Sequence, residues 1–190
     1  MDTFNLKAPL QAVGELLARG NAVVAIVVVG GTALNLQGFV SRTTQDVDVI
    51  ALGRLNPDGP PGEIIPPDDI PAELRDAVVR VARDFGLSSD WLNSVVAAQW
   101  KTGLPPGFDS RILWQRAGGL WIGLAGRLDL IFLKLYAAAD DGPTSRHFTD
   151  LLALKPTEDE LRAAAAWIKT QDPSQPMSET VEQVIAHVLG

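Results

Sequence analysis

The chain of 190 residues contains no cysteine and only two histidines, His147 and His187. It therefore has neither disulfide bonds nor thiolate metal ligands, and the two histidines are too far apart in sequence to suggest a zinc site. These absences favour an intracellular, cytoplasmic setting. Long apolar runs are also lacking, because the longest covers only residues 22–29, far too short to cross a bilayer, and we expect no membrane partner.

Positive charge is scarce as well, since 16 basic side chains stand against 23 acidic ones, a net charge of −7. Broad capture of nucleic acid depends on neutralising phosphates, so this balance argues against it. Residues 101–155 are the exception, with seven basic and five acidic side chains. A polyanion would have to bind there, whereas the acidic region 156–190 would suit a partner protein.

Hydrophobic periodicity predicts an α/β sheet with a helical C-terminal part. Residues 22–29 are apolar on every side chain, as in a strand covered on both faces, and residues 45–52 alternate like a second strand. Helices are predicted over 6–19, 71–85, 90–100 and most of the chain from 127, and a hairpin over 110–124. We predict a core over 1–125 and a helical region over 126–190 that packs on it. Residues 56–71 contain six prolines and two glycines, which predicts a long loop.

The strongest functional signal begins where Gly30-Gly31 ends the apolar strand and a short helix follows. Glycines at such a junction let backbone N–H groups approach an anion closely, and a helix N-terminus favours negative charge. Asp46 and Asp48 lie two residues apart on the next strand and therefore project from one face. Neighbouring carboxylates repel each other unless a cation lies between them, and Mg²⁺ prefers such ligands together with substrate phosphates.

Arg42 and Thr44 precede the two aspartates in the pattern Arg-x-Thr-x-Asp-x-Asp. Arg42 is a candidate phosphate ligand, and Thr44 is a candidate hydrogen-bond donor to a metal-binding carboxylate. Taken separately, these features also fit a tight turn, solvent-exposed acids at a sheet edge and ordinary loop polarity. A dinucleotide-binding fold is a weaker alternative, because two of the glycines in its Gly-x-Gly-x-x-Gly pattern are missing here.

The string GGTALNLQGFVSRTTQDVDVI at 30–50 resembles the Gly-Gly, spacer, Asp-x-Asp pattern of the polymerase-β-like nucleotidyltransferase superfamily, in particular its minimal bacterial members. Later blocks resemble a branch that includes AbiEii-type toxins and a family of unknown function: GLSSDWLNS at 86–94, LDLIFLKLYAAADD at 128–141 and RHFTDLLAL at 146–154. The resemblance implies a nucleotidyltransferase-like mixed sheet flanked by helices. It also implies a reaction, dependent on Mg²⁺ or Mn²⁺, that moves an NMP group from an NTP to an acceptor.

The resemblance further implies roles for individual residues. Asp46 and Asp48 would bind the metal, and the nucleotide-binding residues would be Gly30, Gly31, Thr32, Arg42 and Thr44. In toxin relatives a helical lysine and a later aspartate complete the catalytic site, and Lys134 and Asp150 stand at the matching places. Many members have a third carboxylate on a later strand. The strands predicted over 110–115 and 120–124 contain no acid, which leaves Asp109 and Asp129 as the nearby candidates.

Hypotheses from different functional classes remain open. One is a nucleotidyltransferase whose acceptor is a protein side chain, a tRNA end or a small molecule, with a toxin role and an antitoxin partner implied by resemblance alone. Another is a non-catalytic module that binds a nucleotide or a partner protein and has kept the fold, which the missing strand carboxylate supports. A third is an antitoxin-like protein whose acidic C-terminal helices bind a partner.

Overall fold

The computed structural model describes residues 6–142 and 144–190, which divide into two compact units. Unit 1 comprises residues 6–100 and 112–125, and unit 2 comprises residues 101–111 and the described residues of 126–190. The division into 1–125 and 126–190 stays a prediction, and residues 1–5 lie outside the described residues. None of the described helices is long and apolar enough to span a membrane.

Unit 1 is built on a mixed sheet. Its elements are α1 (Lys7–Arg19), β1 (Val24–Val29), α2 (Gly30–Leu36), β2 (Val47–Asn56), β3 (Gly59–Ile65), α3 (Ala72–Phe85), β4 (Leu92–Asn93), β5 (Leu113–Ala117) and β6 (Leu120–Leu124). The strand order is β3-β2-β1-β6-β5, and β4 pairs with β2 outside this path. β1 is parallel to β6 and β4 is parallel to β2, whereas the other pairs are antiparallel. This architecture, with helices around the sheet and in the C-terminal region, confirms the predicted fold class.

The core of unit 1 is centred on β1, whose six side chains are all buried, as the apolar run predicted. α1 packs against α3 and the β5–β6 hairpin, with Leu10, Val13 and Leu17 buried. Gly14 permits a very close approach at this contact, since its backbone oxygen accepts a 2.8 Å hydrogen bond from the Gly119 amide. The hairpin turn thereby fixes α1 against the sheet.

Two sequence predictions were wrong in detail. The proline-rich segment 56–71 does not form one long loop, because residues 59–65 form β3. β3 lies at the edge of the sheet, where the missing N–H groups of Pro60 and Pro61 are tolerated. Residues 90–100 do not form an α-helix either, because the short strand β4 precedes a 3₁₀ helix at Val95–Lys101.

Unit 2 is a helical assembly, which confirms the predicted helical C-terminal region. Its helices are α4 (Arg127–Asp141), α5 (Arg146–Ala153), α6 (Glu158–Gln171) and α7 (Gln175–Leu189), and a short 3₁₀ helix covers Asp109–Arg111. α4 is central, since it packs against α5, α6 and α7. α6 begins with a capping box in which Thr157 and Glu160 each bond the other's backbone N–H.

The contact at Gly14 predicts a specific stability effect. A Cβ added at this position would lie 1.8 Å from the Ala117 carbonyl oxygen, so Gly14→Ala must move the helix or the hairpin. We expect the free energy of unfolding in urea to fall by about 1–3 kcal/mol or more, the usual cost of overpacking. Gly62→Ala is the matched control, because a Cβ there meets open space. Equal effects of the two substitutions would contradict this account.

Candidate nucleotide-binding site

The pairing of β1 with β2 places the end of one strand beside the start of the other. In this antiparallel pair Val29 stands opposite Asp48. The residue after Val29 is Gly30, the first residue of α2. The strand–helix junction and the second aspartate, which are far apart in the sequence pattern, therefore meet at the same edge of unit 1.

An irregularity in β2 sets this register. Val27 stands opposite Ala51 but Val28 stands opposite Val49, so Ile50 has no counterpart on β1. The Ile50 carbonyl oxygen instead accepts a 2.6 Å hydrogen bond from the Trp100 indole. Since a one-residue slip turns a strand's side chains over, this irregularity decides which side chains face the junction. No pattern in the sequence indicated this contact of Trp100.

Gly30 lies directly against the carboxylate of Asp48. Its φ is +69°, in the left-handed region that favours glycine, and a Cβ at this position would lie 2.3 Å from Asp48 Oδ2. Both the backbone conformation and the neighbouring carboxylate therefore require glycine here. The sequence indicated a glycine turn, but it did not reveal that the turn makes room for the second aspartate.

Gly31 lies against a cation. A Cβ there would lie 3.1 Å from Arg42 Nη2 and 2.8 Å from the Thr44 methyl carbon. The Gly30-Gly31 pair is thus bordered by the Asp48 carboxylate on one side and the Arg42 guanidinium on the other. A carboxylate is suited to a metal ion and a guanidinium to a phosphate, so the junction combines both kinds of ligand.

Thr32 fastens the segment that carries the aspartates to α2. Its buried hydroxyl lies 2.6 Å from the backbone oxygen of Asp46, to which it donates, and 3.3 Å from the hydroxyl of buried Thr44. Asn35, also on α2, donates its side-chain amide to the backbone oxygen of Arg42. The sequence proposed Thr32 and Thr44 as ligands, and the structure shows contacts through which they hold the site's backbone.

The two aspartates alternate with buried valines. Val47 and Val49 are fully buried, whereas Asp46 is exposed and Asp48 is partly buried. This alternation places the carboxylates on the face opposite the valines. β2 begins at Val47, so Asp46 immediately precedes the strand instead of lying within it.

β4 supports the start of β2 from the other side. Leu92 stands opposite Val47, and Asn93 stands opposite Asp48. The Val47 amide donates to the Trp91 carbonyl oxygen at 2.6 Å, and the buried Trp91 indole is itself anchored on Val78 by a 3.2 Å hydrogen bond. Asp48 is therefore held between two strands. Trp91 and Asn93 lie in the block GLSSDWLNS, which was their only signal in the sequence.

The donor set at the junction fits a magnesium ion that shares its ligands with a nucleotide. Mg²⁺ is commonly bound through one or two carboxylates, substrate phosphates and water, and Asp46 and Asp48 supply two carboxylates. Within residues 6–142 and 144–190, no three histidine, aspartate or glutamate side chains cluster in a way that would hold a metal by themselves. A metal here would depend on the bound substrate for its remaining ligands.

Two further candidates, Lys134 and Asp150, pair with each other in unit 2. Lys134 Nζ lies 2.8 Å from Asp150 Oδ2, and both side chains are buried. Lys134 therefore meets an acid inside the helical unit and does not extend to the surface. Their proposed roles stay predictions.

Asp129, the additional metal candidate, is fully buried in unit 2 and paired with Arg111. Arg111 contacts both carboxylate oxygens, with Nε at 3.0 Å from Oδ2. Burial raises the pKa of Asp129, although the Arg111 guanidinium favours the ionised form. The arginine thus occupies the oxygens that a metal would need. Asp109 lies in the short 3₁₀ helix. Among the described residues it belongs to no group of three or more acidic or histidine side chains that could hold a metal ion.

The contact between Gly30 and Asp48 predicts a measurable coupling. Gly30→Ala should destabilise the protein by about 1–2 kcal/mol through left-handed backbone strain, and by more through the clash with the carboxylate. Gly38→Ala isolates the strain, because Gly38 has φ +78° and open space around its Cβ position. In a double-mutant cycle measured by urea unfolding, Asp48→Ala should relieve part of the Gly30→Ala cost. Strict additivity would show that the carboxylate does not press on Gly30.

Comparison with known proteins identifies the family of the chain. Residues 5–141, well over half of the chain, match the model of a family described as "Nucleotidyltransferase of unknown function (DUF6036)". No curated protein and no solved structure gives a significant match. The family's description implies nucleotidyl transfer and hence a nucleotide substrate. The chain therefore belongs to the DUF6036 family of nucleotidyltransferases.

Proposed function

We propose that the Gly30-Gly31 junction binds an NTP together with Mg²⁺ or Mn²⁺ and transfers its NMP group to an acceptor hydroxyl. The observation that carries this proposal is the placement of the glycine pair between the Asp48 carboxylate and the Arg42 guanidinium. A triphosphate needs both a close backbone approach and compensation of its charge, and this arrangement offers the two together.

Each residue of the junction has a proposed role. Asp46 and Asp48 would hold the metal, which when bound supplies charge neutralisation at the phosphates. Arg42 would bind a phosphate oxygen, and Gly30-Gly31 would let the triphosphate approach the backbone. Thr32 and Thr44 keep the segment carrying Asp46 and Arg42 against α2, so they act on substrate geometry through the backbone.

The proposed reaction is a displacement at the α-phosphorus. The acceptor hydroxyl oxygen forms a bond to this phosphorus while the bond to the oxygen bridging the α- and β-phosphates breaks. The bridging oxygen keeps the electron pair and leaves with pyrophosphate, and the hydroxyl proton passes to water. Following the resemblance, we propose that Lys134 and Asp150, which pair with each other in unit 2, are further catalytic residues.

A non-catalytic nucleotide-binding or partner-binding module is the second candidate function. Two observations favour it: β5 and β6 carry no acidic side chain, and Asp129 is engaged by Arg111. Such a module would bind an NTP at the glycine junction without transferring its NMP group. Transfer and binding must therefore be measured separately.

Labelled NTPs separate the candidates. We expect incubation of the purified chain with α-³²P-labelled NTPs, Mg²⁺ and cell extract to label an acceptor. Asp46→Asn and Asp48→Asn should each lower the rate of labelling roughly a hundredfold or more, because they weaken metal binding. Asp58→Asn, in the exposed turn between β2 and β3, is the matched control. Binding of MgNTP without label transfer would support the module, and neither binding nor transfer would contradict both proposals.

A toxin-type role is a finer proposal that rests on the resemblance to AbiEii-type toxins. Transfer of an NMP group to a tRNA end or a protein would inactivate that acceptor, and an antitoxin partner would prevent it. Induced expression in a bacterial host should then arrest growth with the wild-type chain and leave growth unaffected with Asp48→Asn at equal protein level. Equal growth curves would contradict the toxin role without contradicting nucleotidyl transfer.

A further inference from the structure

His147 lies at the centre of a chain of charged groups in unit 2. Its Nδ1 is 3.2 Å from Lys134 Nζ, and its Nε2 is 3.3 Å from Asp141 Oδ2. The same ammonium lies 2.8 Å from Asp150 Oδ2. The order Asp150–Lys134–His147–Asp141 therefore leads from a buried ion pair to an exposed carboxylate, and the His147 side chain itself is 35% exposed.

The chemistry of these groups fixes the tautomer of the ring. A lysine ammonium has only hydrogen-bond donors, so Nδ1 must accept from Lys134 and cannot carry a hydrogen. The hydrogen of the neutral ring is then on Nε2, where it faces the Asp141 carboxylate, an acceptor. Both contacts agree with one neutral form of His147.

Protonation of His147 is incompatible with the hydrogen bond that its ring accepts from Lys134. A hydrogen on Nδ1 would remove the acceptor of the ammonium and place two positive charges about 3 Å apart. Burial and then Lys134 lower the pKa of His147, as does Arg146 on α5, whereas Asp141 and Asp150 raise it. These are the charged groups that α4 and α5 bring to the ring, and their balance favours the neutral form.

We propose that His147 is the positioning residue for Lys134: the neutral ring, with its hydrogen on Nε2, holds the ammonium beside Asp150, and protonation of the ring releases it. This contact is formed entirely within unit 2. Its effect on activity rests on the proposed function, in which Lys134 is a catalytic residue. In that case acidification weakens the action of Lys134 by removing the contact that holds it.

The contact is tested directly by NMR, because the chain has only two histidines. In ¹⁵N-labelled wild-type protein at neutral pH, the His147 ring should show the tautomer with hydrogen on Nε2. Lys134→Met should raise the pKa of His147 by about one unit, a tenfold change in proton affinity, since a nearby positive charge is removed. Asp141→Asn leaves the buried pair intact and should lower this pKa. The titration of His187, on α7, is the internal control in each variant.

Nucleotide binding tests the functional consequence. His147→Asn keeps an acceptor oxygen near the place of Nδ1 but cannot titrate, whereas His147→Phe removes the acceptor. We expect wild-type affinity for MgATP, or for another NTP that labels an acceptor, to fall as the pH drops through the pKa of His147. His147→Asn should bind normally at neutral pH without this acidic fall, and His147→Phe should bind several-fold more weakly. His187→Gln should behave as wild type.

The possible failures are distinguishable. A ring with hydrogen on Nδ1 in the wild-type protein, or a His147 pKa unchanged in both Lys134→Met and Asp141→Asn, would overturn the inference whatever the nucleotide results. An acidic fall that persists in His147→Asn would overturn its link to nucleotide binding. Absence of NTP binding in every protein, with the expected NMR results, would contradict the proposed function and leave the positioning of Lys134 established.

Discussion

The site of this protein depends on the antiparallel pairing of β1 with the start of β2. Val29 stands opposite Asp48, and the next residue is Gly30, where a positive φ and the adjoining carboxylate both require glycine. The register is set where Ile50 is left without a counterpart and bonds Trp100 instead. A shift by one residue would exchange the aspartates with the valines of the core. The candidate site can therefore form only when the sheet folds in this register.

The sequence predicted those parts of the fold that depend on local patterns. The apolar run at β1 and the helical spacing in α1 each depend on residues close together in the chain, and the structure confirms both. β3 was missed because its prolines are unfavourable in a strand, and only its edge position makes them acceptable. β4 is two residues long, and it exists because β2 is available as a distant partner.

In the candidate site too, the sequence predicted what depends on neighbouring residues and missed the contacts between distant ones. The spacing of Asp46 and Asp48 predicted alternation against buried valines, which the structure shows. No local pattern revealed that Gly30 faces Asp48, a contact that arises from strand pairing. Nor did one reveal that Gly31 faces Arg42, which lies in the segment between α2 and β2. Likewise, the block RHFTDLLAL contains His147 but did not reveal what its ring contacts. Its contacts with Lys134 and Asp141 form because α4 and α5 pack together.

The central claim is that the junction of β1 and α2 binds the triphosphate and the metal together. The most direct measurement is a crystal structure of the chain soaked with Mn²⁺ and an NTP analogue that resists cleavage between the α- and β-phosphates, with anomalous diffraction to locate the manganese. The account predicts manganese coordinated by Asp46 and Asp48, and a triphosphate beside Gly30-Gly31 with Arg42 on a phosphate oxygen. Manganese or nucleotide bound elsewhere on the protein, with this junction filled only by water, would contradict it.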